Sequence, residues 1–292
     1  VRRGLLLLLL FFAVVTPARA AEENDYVLAR RNVVIWDNGG TEKKPLLIFS
    51  HGFHGCATQS RYLTDAWAEA GYLVIAINHA DATCHGGTSH LFERATVPFR
   101  KIAAWDDKIY EDRAEDIRQV LDALRHHPGY RTQILWDQVG LIGHSLGGYT
   151  VLGLAGAWPR WTLSGIRAVL VFSPFALPFV QQDTLKTIKV PVMFQGGTRD
   201  FPLSPAMAEK NGVFDKAAPI KFLVVFRGAT HFAWTDLFPA AQEGIKLYSL
   251  AFLDRFVRGK PQSPLLTHAF GDVRLLRWDG CGKAACQGEA EN

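Results

Sequence analysis

The run Gly143-His144-Ser145-Leu146-Gly147-Gly148 lies between two apolar stretches of different period. Upstream, Gln138-Val139-Gly140-Leu141-Ile142 predicts a short buried strand. Downstream, Tyr149, Val151, Leu152, Leu154 and Ala155 predict a buried helix. Gly-x-Ser-x-Gly between a strand and a helix is the pattern of a nucleophile elbow, a turn sharp enough to hold its serine strained and exposed. Side chains at the flanking glycines would collide with neighbouring backbone, and the helix start beneath the serine favours developing negative charge. Alone, the pattern is weak. At ordinary Gly and Ser usage a chain this long meets it by chance about one time in ten. A glycine-rich turn before a core helix reads the same way, so the surrounding chain must discriminate.

Apolar runs of strand length recur on both sides. Arg31 to Trp36 predicts an edge strand, and Leu46-Leu47-Ile48-Phe49-Ser50 a buried parallel strand. Leu73 to Ile77, Ala168 to Phe172, Val190 to Gln195 and Ile220 to Phe226 continue the series. Helices are expected over residues 60–70, 112–126 and 240–258, where apolar residues return at helical spacing. Gly71, Pro128-Gly129 and Gly259 with Pro261 mark their ends. Residues 78–107 form a long polar stretch of the kind that lines a site. Strands alternating with helices predict an α/β fold with a mainly parallel sheet, and no linker divides residues 21–292. Residues 262–292 read as a C-terminal tail, with Leu275, Leu276 and Trp278 against the body.

In such sheets functional groups gather beyond the carboxyl ends of strands. Four segments fall there: His51-Gly52-Phe53, Ser145, Asp200 and His231. A serine hydroxyl needs a base within hydrogen-bond reach. His231 is the candidate base and Asp200 the group that fixes its tautomer and stabilises its positive form. The backbone N–H groups of Leu146 and Phe53 are the candidate oxyanion donors. Taken singly, Asp200 reads as a turn residue and His231 as a cap or surface histidine. It is their joint placement with Ser145 that points to catalysis. Asp183, Asp215 and Asp236 are rival acids, none directly after a predicted strand, and His85-Gly86-Gly87 is a rival oxyanion turn. His79, Cys84, His85 and His90 match no zinc spacing, so no metal or other cofactor is expected. Phe53, His54, Phe201 and Phe232 are candidate substrate contacts, with Phe175, Phe179 and Trp234 as further aromatics near the motifs.

Arg2 and Arg3 precede the apolar run Leu5 to Val15 and the close Ala18-Arg19-Ala20, the layout of a signal peptide over residues 1–20. Periplasmic or secreted localisation is the expectation, without stable membrane insertion. That segment holds three of the 32 basic residues, leaving 29 against 28 acidic ones. So balanced a chain, with no basic stripe interleaved with aromatics, gives no sign of nucleic-acid binding. An exported chain with Cys56, Cys84, Cys281 and Cys286 suggests disulfides. Cys56–Cys84 is favoured because these residues follow successive strands, and Cys281–Cys286 would close a small loop.

The residues His51-Gly52-Phe53, Gly71-Tyr72-Leu73-Val74, Gly143 to Tyr149 and Gly228-Ala229-Thr230-His231-Phe232 together resemble the α/β-hydrolase superfamily. Within it the chain is most similar to the platelet-activating factor acetylhydrolase-like and dienelactone hydrolase-like branch, over residues 45–258. The resemblance implies about eight strands, mostly parallel and flanked by helices, and no cofactor. Dienelactone hydrolases use a cysteine nucleophile where this chain has Ser145. The lid and lipoprotein-binding elements of animal acetylhydrolases have no counterpart here, and secreted cutinase-like polyester hydrolases are neighbours. The expected activity is cleavage of small-molecule or lipid-like carboxylic esters by a monomer or homodimer. Lipase, polyester hydrolase or peptidase activity on the same fold is the alternative. In a different class stands a catalytically silent binding protein.

Overall fold

The continuous apolar runs become the middle of one sheet. In the computed structural model, which describes residues 22–84, 99, 101–280 and 287–291, ten strands hydrogen-bond side by side. They are β1 (Glu22–Leu28), β2 (Arg31–Asp37), β3 (Lys44–Ser50), β4 (Leu73–Ile77), β5 (Ile134–His144), β6 (Ile166–Phe172), β7 (Val192–Gly197), β8 (Lys221–Phe226), β9 (Val273–Asp279) and β10 (Gln287–Glu291). Their order is β1-β2-β4-β3-β5-β6-β7-β8-β9-β10. Pairing is parallel from β4 through β8 and antiparallel at both margins. The α/β-hydrolase architecture expected from the sequence is present, but the count of eight strands needs correcting. Two strands lie in what reads as tail, where β9 pairs with β8 and β10 covers β9. β1, which pairs with β2, is likewise absent from the apolar runs read as strands. The signal segment, His85, His90 and the Cys281–Cys286 pair lie outside the described residues.

Side chains alternate across the sheet with period two, and so divide the core. Leu46, Ile48, Ile75, Leu141, Val169, Val171, Phe194 and Leu223 face one way, with Ile117, Val120, Leu121 and Leu124 of the helix Glu111–His126 above them. Leu47, Phe49, Val74, Ile142, Leu170, Phe172 and Phe222 face the other. Leu63 and Trp67 of the helix Arg61–Glu69 cover that face, with Ile245, Tyr248 and Phe252 of the helix Gln242–Phe256. Phe172 stacks between Trp67 and Trp234 at 6.2 Å on each side. Burying one such ring stabilises by roughly 1.5–3 kcal/mol. The helix Glu111–His126 carries Glu111 and Asp112 in its first turn and Arg125 and His126 in its last, matching the helix dipole at both ends.

This double-faced burial explains the position of the site. With both faces covered, the strand ends are where polar groups reach solvent, and β3, β5, β6, β7 and β8 open their carboxyl ends side by side.

Candidate active site

At the end of β5 the chain turns into the helix Leu146–Leu152 through Ser145, whose backbone lies at φ +54° and ψ −115°. Few non-glycine residues adopt that conformation. The turn is possible because Gly143 and Gly147 approach so closely that a Cβ on the first would lie 2.2 Å from the Gly147 carbonyl oxygen. One on the second would lie 2.0 Å from that of Ser50. The Ser145 amide donates to the Phe172 carbonyl at 2.9 Å, which pins the turn to β6.

Asp200 and His231 come from loops that are tied together. The Thr198 amide donates to the Phe226 carbonyl at 2.9 Å, and that of Arg199 to the Ala229 carbonyl at 2.9 Å. These bonds bring the end of β7 against the end of β8. His231 Nε2 then lies 3.0 Å from Ser145 Oγ, and His231 Nδ1 lies 3.0 Å from Asp200 Oδ1. The other Asp200 oxygen accepts from the Ser204 hydroxyl at 2.7 Å. Ser173, at the end of β6, places its hydroxyl oxygen 2.7 Å from His231 Nδ1 and also hydrogen-bonds Asp200. Burial works to raise the Asp200 pKa, but the hydrogen bonds from His231, Ser173 and Ser204 outweigh it and hold the carboxyl below its usual value. Asp200 is buried, whereas the His231 side chain is 28% exposed.

The rival acids are engaged elsewhere. Asp183 pairs with Lys186 and Lys216 at the surface. Asp215 pairs with Arg277. Asp236 caps the helix Arg61–Glu69 by accepting from the amides of Arg61 and Tyr62. The rival turn His85-Gly86-Gly87 lies outside the described residues.

The loop His51-Gly52-Phe53 follows β3, the neighbour of β5. Among the described residues, neither the Phe53 nor the Leu146 amide has a protein acceptor. The loop is fastened from outside by the Cys56–Cys84 disulfide, with Cα atoms 6.0 Å apart. Thr83 Oγ1 adds a bond to the His54 carbonyl at 3.0 Å.

Behind the loop lies a polar cluster that the sequence reading missed. Arg113 is fully buried. Its guanidinium forks onto Asp81 at 2.8 and 3.0 Å, and donates to the carbonyls of His51 at 2.9 Å and Gly52 at 3.2 Å. The His79 amide donates to His51 Nε2, so the His51 proton sits on Nδ1 and meets the Gly52 carbonyl at 2.6 Å. His79 bridges Ser50 Oγ and Asp116 Oδ2, each at 2.9 Å, and Arg31 reaches the second Asp116 oxygen at 2.5 Å. Burial, then Arg113, hold both histidines well below their ordinary pKa. Burial alone would raise Asp81, but the Arg113 charge and hydrogen bonds pull it far below the carboxylate range. Burial raises Asp116, against the pull of Arg31. A histidine in the long polar stretch and an arginine early in the following helix were the visible signals.

The candidate substrate contacts divide. Phe201 is 83% exposed and Phe232 45%, with Leu237 and Phe238 exposed nearby. The Phe232 ring lies 5.5 Å from that of His231 and 6.0 Å from Phe238. Phe53 stacks on His54 at 3.7 Å and meets Phe99 at 5.2 Å, which touches Phe175 at 5.1 Å. Phe179 and Trp234 are instead core residues. Phe179 stacks on Tyr149, and Trp234 donates to Gln195 Oε1. Neither has surface left for a ligand.

Compared with known proteins, residues 33–239 match the model of the Dienelactone hydrolase family, which is more than half of the chain. No curated protein matches.

Proposed function

The chain belongs to the dienelactone hydrolase family and is a hydrolase of the α/β-hydrolase fold, and from that premise we propose that it is an exported serine hydrolase that cleaves carboxylic esters. The supporting observation is the unbroken path from Ser145 Oγ through His231 to Asp200, at 3.0 Å for each step. In this reading Ser145 Oγ attacks the ester carbonyl while its proton passes to His231 Nε2. The oxyanion is met by the Phe53 and Leu146 amides. Collapse breaks the bond to the alcohol oxygen, which takes the proton from His231, and leaves an acyl group on Ser145. Water, deprotonated by His231, attacks the acyl-enzyme, and its collapse returns the proton to Ser145 and releases the acid. Asp200 stays ionised throughout, consistent with its lowered pKa.

Export is supported by the leader-like residues 1–20 and by the Cys56–Cys84 disulfide, which suits an oxidising compartment. Among the described residues no helix is long and apolar enough to cross a membrane. The exposed Phe201, Phe232, Leu237 and Phe238 favour bulky apolar esters, and so a lipase or polyester-hydrolase variant of the same chemistry. A fluorophosphonate probe should label the folded protein and spare Ser145→Ala. An unlabelled wild-type protein, or equal labelling of both, overturns the reading. Rates on p-nitrophenyl esters of increasing acyl length and on an anilide then separate esterase, lipase and peptidase.

A further inference from the structure

Gln59 takes no part in the steps above, yet its side chain spans two parts of the site. Its Oε1 accepts from the Gly52 amide at 3.1 Å, and its Nε2 donates to His144 Nδ1 at 3.0 Å. His144 Nε2 in turn donates to the main-chain carbonyl of His231 at 2.8 Å. That last bond sets the direction of the others. A carbonyl only accepts, so His144 carries its proton on Nε2. Burial, and next the neighbouring His231, push the His144 pKa down to about 3, so the ring is neutral and its Nδ1 is a bare acceptor. The amide of Gln59 must therefore present its NH2 to His144 and its oxygen to Gly52. Every donor meets an acceptor on one path from the Gly52 amide to the backbone of His231. Gly55 leaves room for the path, since a Cβ there would lie 2.2 Å from Gln59 Oε1. The Asp236 amide also donates to the Gln59 carbonyl at 2.9 Å, which ties the chain beyond His231 to the same residue.

We propose that Gln59 and His144 are positioning residues that hold the Gly52–Phe53 amides and the His231 ring in fixed register, so that oxyanion donors and proton acceptor are aligned by one side-chain bridge. The inference rests on the serine-hydrolase reading and adds to it how the two halves of that site are kept together. Both ring nitrogens of His144 are engaged, so it acts through His231 and not on substrate.

Gln59→Glu tests the bridge through its directions. A carboxylate accepts from Gly52 but has no proton to give His144 Nδ1, so the path closes only when His144 takes a second proton. The titratable groups facing His144 are His231 and His51, which oppose that proton, and Asp200, which favours it. The new carboxylate adds to the favouring side. With p-nitrophenyl acetate, kcat/KM of Gln59→Glu relative to wild type should be down about 100-fold at pH 9 and recover about tenfold toward pH 6. The loss should fall on kcat, with KM within about twofold. Gln59→Ala should stay low, with a flat ratio. Nitrogen-15 imidazole spectra should show wild-type His144 as the Nε2–H tautomer, not titrating between about pH 5 and 9, and titrating there in Gln59→Glu. A wild-type kcat for Gln59→Ala, a flat ratio for Gln59→Glu, or an Nδ1–H tautomer in the wild type overturns the bridge. A wild type that hydrolyses no ester sinks the serine-hydrolase reading instead, and the tautomer and its titration then decide the bridge alone.

Discussion

Two Ser–His–Asp arrays stand within this one molecule, at the rim of the sheet and inside it. Ser145, His231 and Asp200 are joined at 3.0 Å and 3.0 Å. Ser50, His79 and Asp116 are joined at 2.9 Å and 2.9 Å, also through Nε2 and Nδ1. By distance alone the inner array is as good as the outer one. It differs in what surrounds it. Ser50 ends a strand and is wholly buried, as is His79. Burial and the Arg113 charge both oppose a positive His79, which is the state a base must enter when it takes a proton. The outer array has Ser145 on a left-handed turn and a His231 ring open to solvent. Hydrogen-bond geometry therefore marks where polar groups are satisfied, whereas access and tolerance of a transient charge mark where a reaction can run.

The comparison is broken most directly by the two serines. Ser145→Ala should lower kcat by about 10⁴- to 10⁶-fold, as nucleophile removal does in serine hydrolases, while Ser50→Ala should still be labelled by the fluorophosphonate. Labelling at Ser50 would erase the distinction. The next effect is structural. Arg113→Leu leaves Asp81 without its partner and takes a donor from the His51 carbonyl, and should cost about 3–5 kcal/mol in urea titrations.

Acidification should separate the regions more gently. His51, His79 and His144 have folded pKa values below the ordinary 6.5. Below that pH the unfolded chain takes protons on them and the folded protein does not. Each contribution is therefore complete above pH 6.5 and declines by about 1.4 kcal/mol per unit as the pH falls, down to the folded pKa. For His144 the decline ends at about 3. Asp81, also depressed, adds a loss only below its ordinary 3.8. Denaturation midpoints at pH 7.5, 6 and 5 should fall in that order, and His79→Gln should flatten the trend. The smallest change is expected at the rim. Phe201→Ala should leave stability within about 0.5 kcal/mol, while raising KM for long-chain esters more than for acetates. An equal change for both would remove Phe201 from the substrate contacts.

The outer array was legible in the chain because each member directly follows, or nearly follows, an apolar run. Period and order suffice to set Ser145, Asp200 and His231 each beyond the carboxyl end of a strand. The inner array was not legible. Its partners are joined only by folding, since Ser50 and His79 stand 29 positions apart and His79 and Asp116 stand 37 apart. Arg113 falls on a helix whose charged residues otherwise read as a solvated face. Gln59 was hidden for the same reason, since its bond to His144 crosses 85 residues. The marginal strands escaped for another. β1 begins Glu-Glu-Asn-Asp, without apolar alternation, and turns into β2 through Ala29 and Arg30 at positive φ, with no glycine or asparagine to announce a hairpin. β9 and β10 carry charged residues typical of edges.

Those marginal strands bear on how the molecule would answer to mechanical load. β1 and β10 occupy opposite edges of the ten-strand order. At about 4.8 Å per strand they stand about 43 Å apart across the sheet. Tension applied through Glu22 and Glu291 pulls first on the pairs Glu22–Asp37 and Glu291–Leu275, so each margin would peel one bonded pair at a time. The parallel centre, with the Ser145 turn on β5, yields last. Stretched between Glu22 and Glu291, the sheet would fray from its borders inward with Ser145, His231 and Asp200 still aligned.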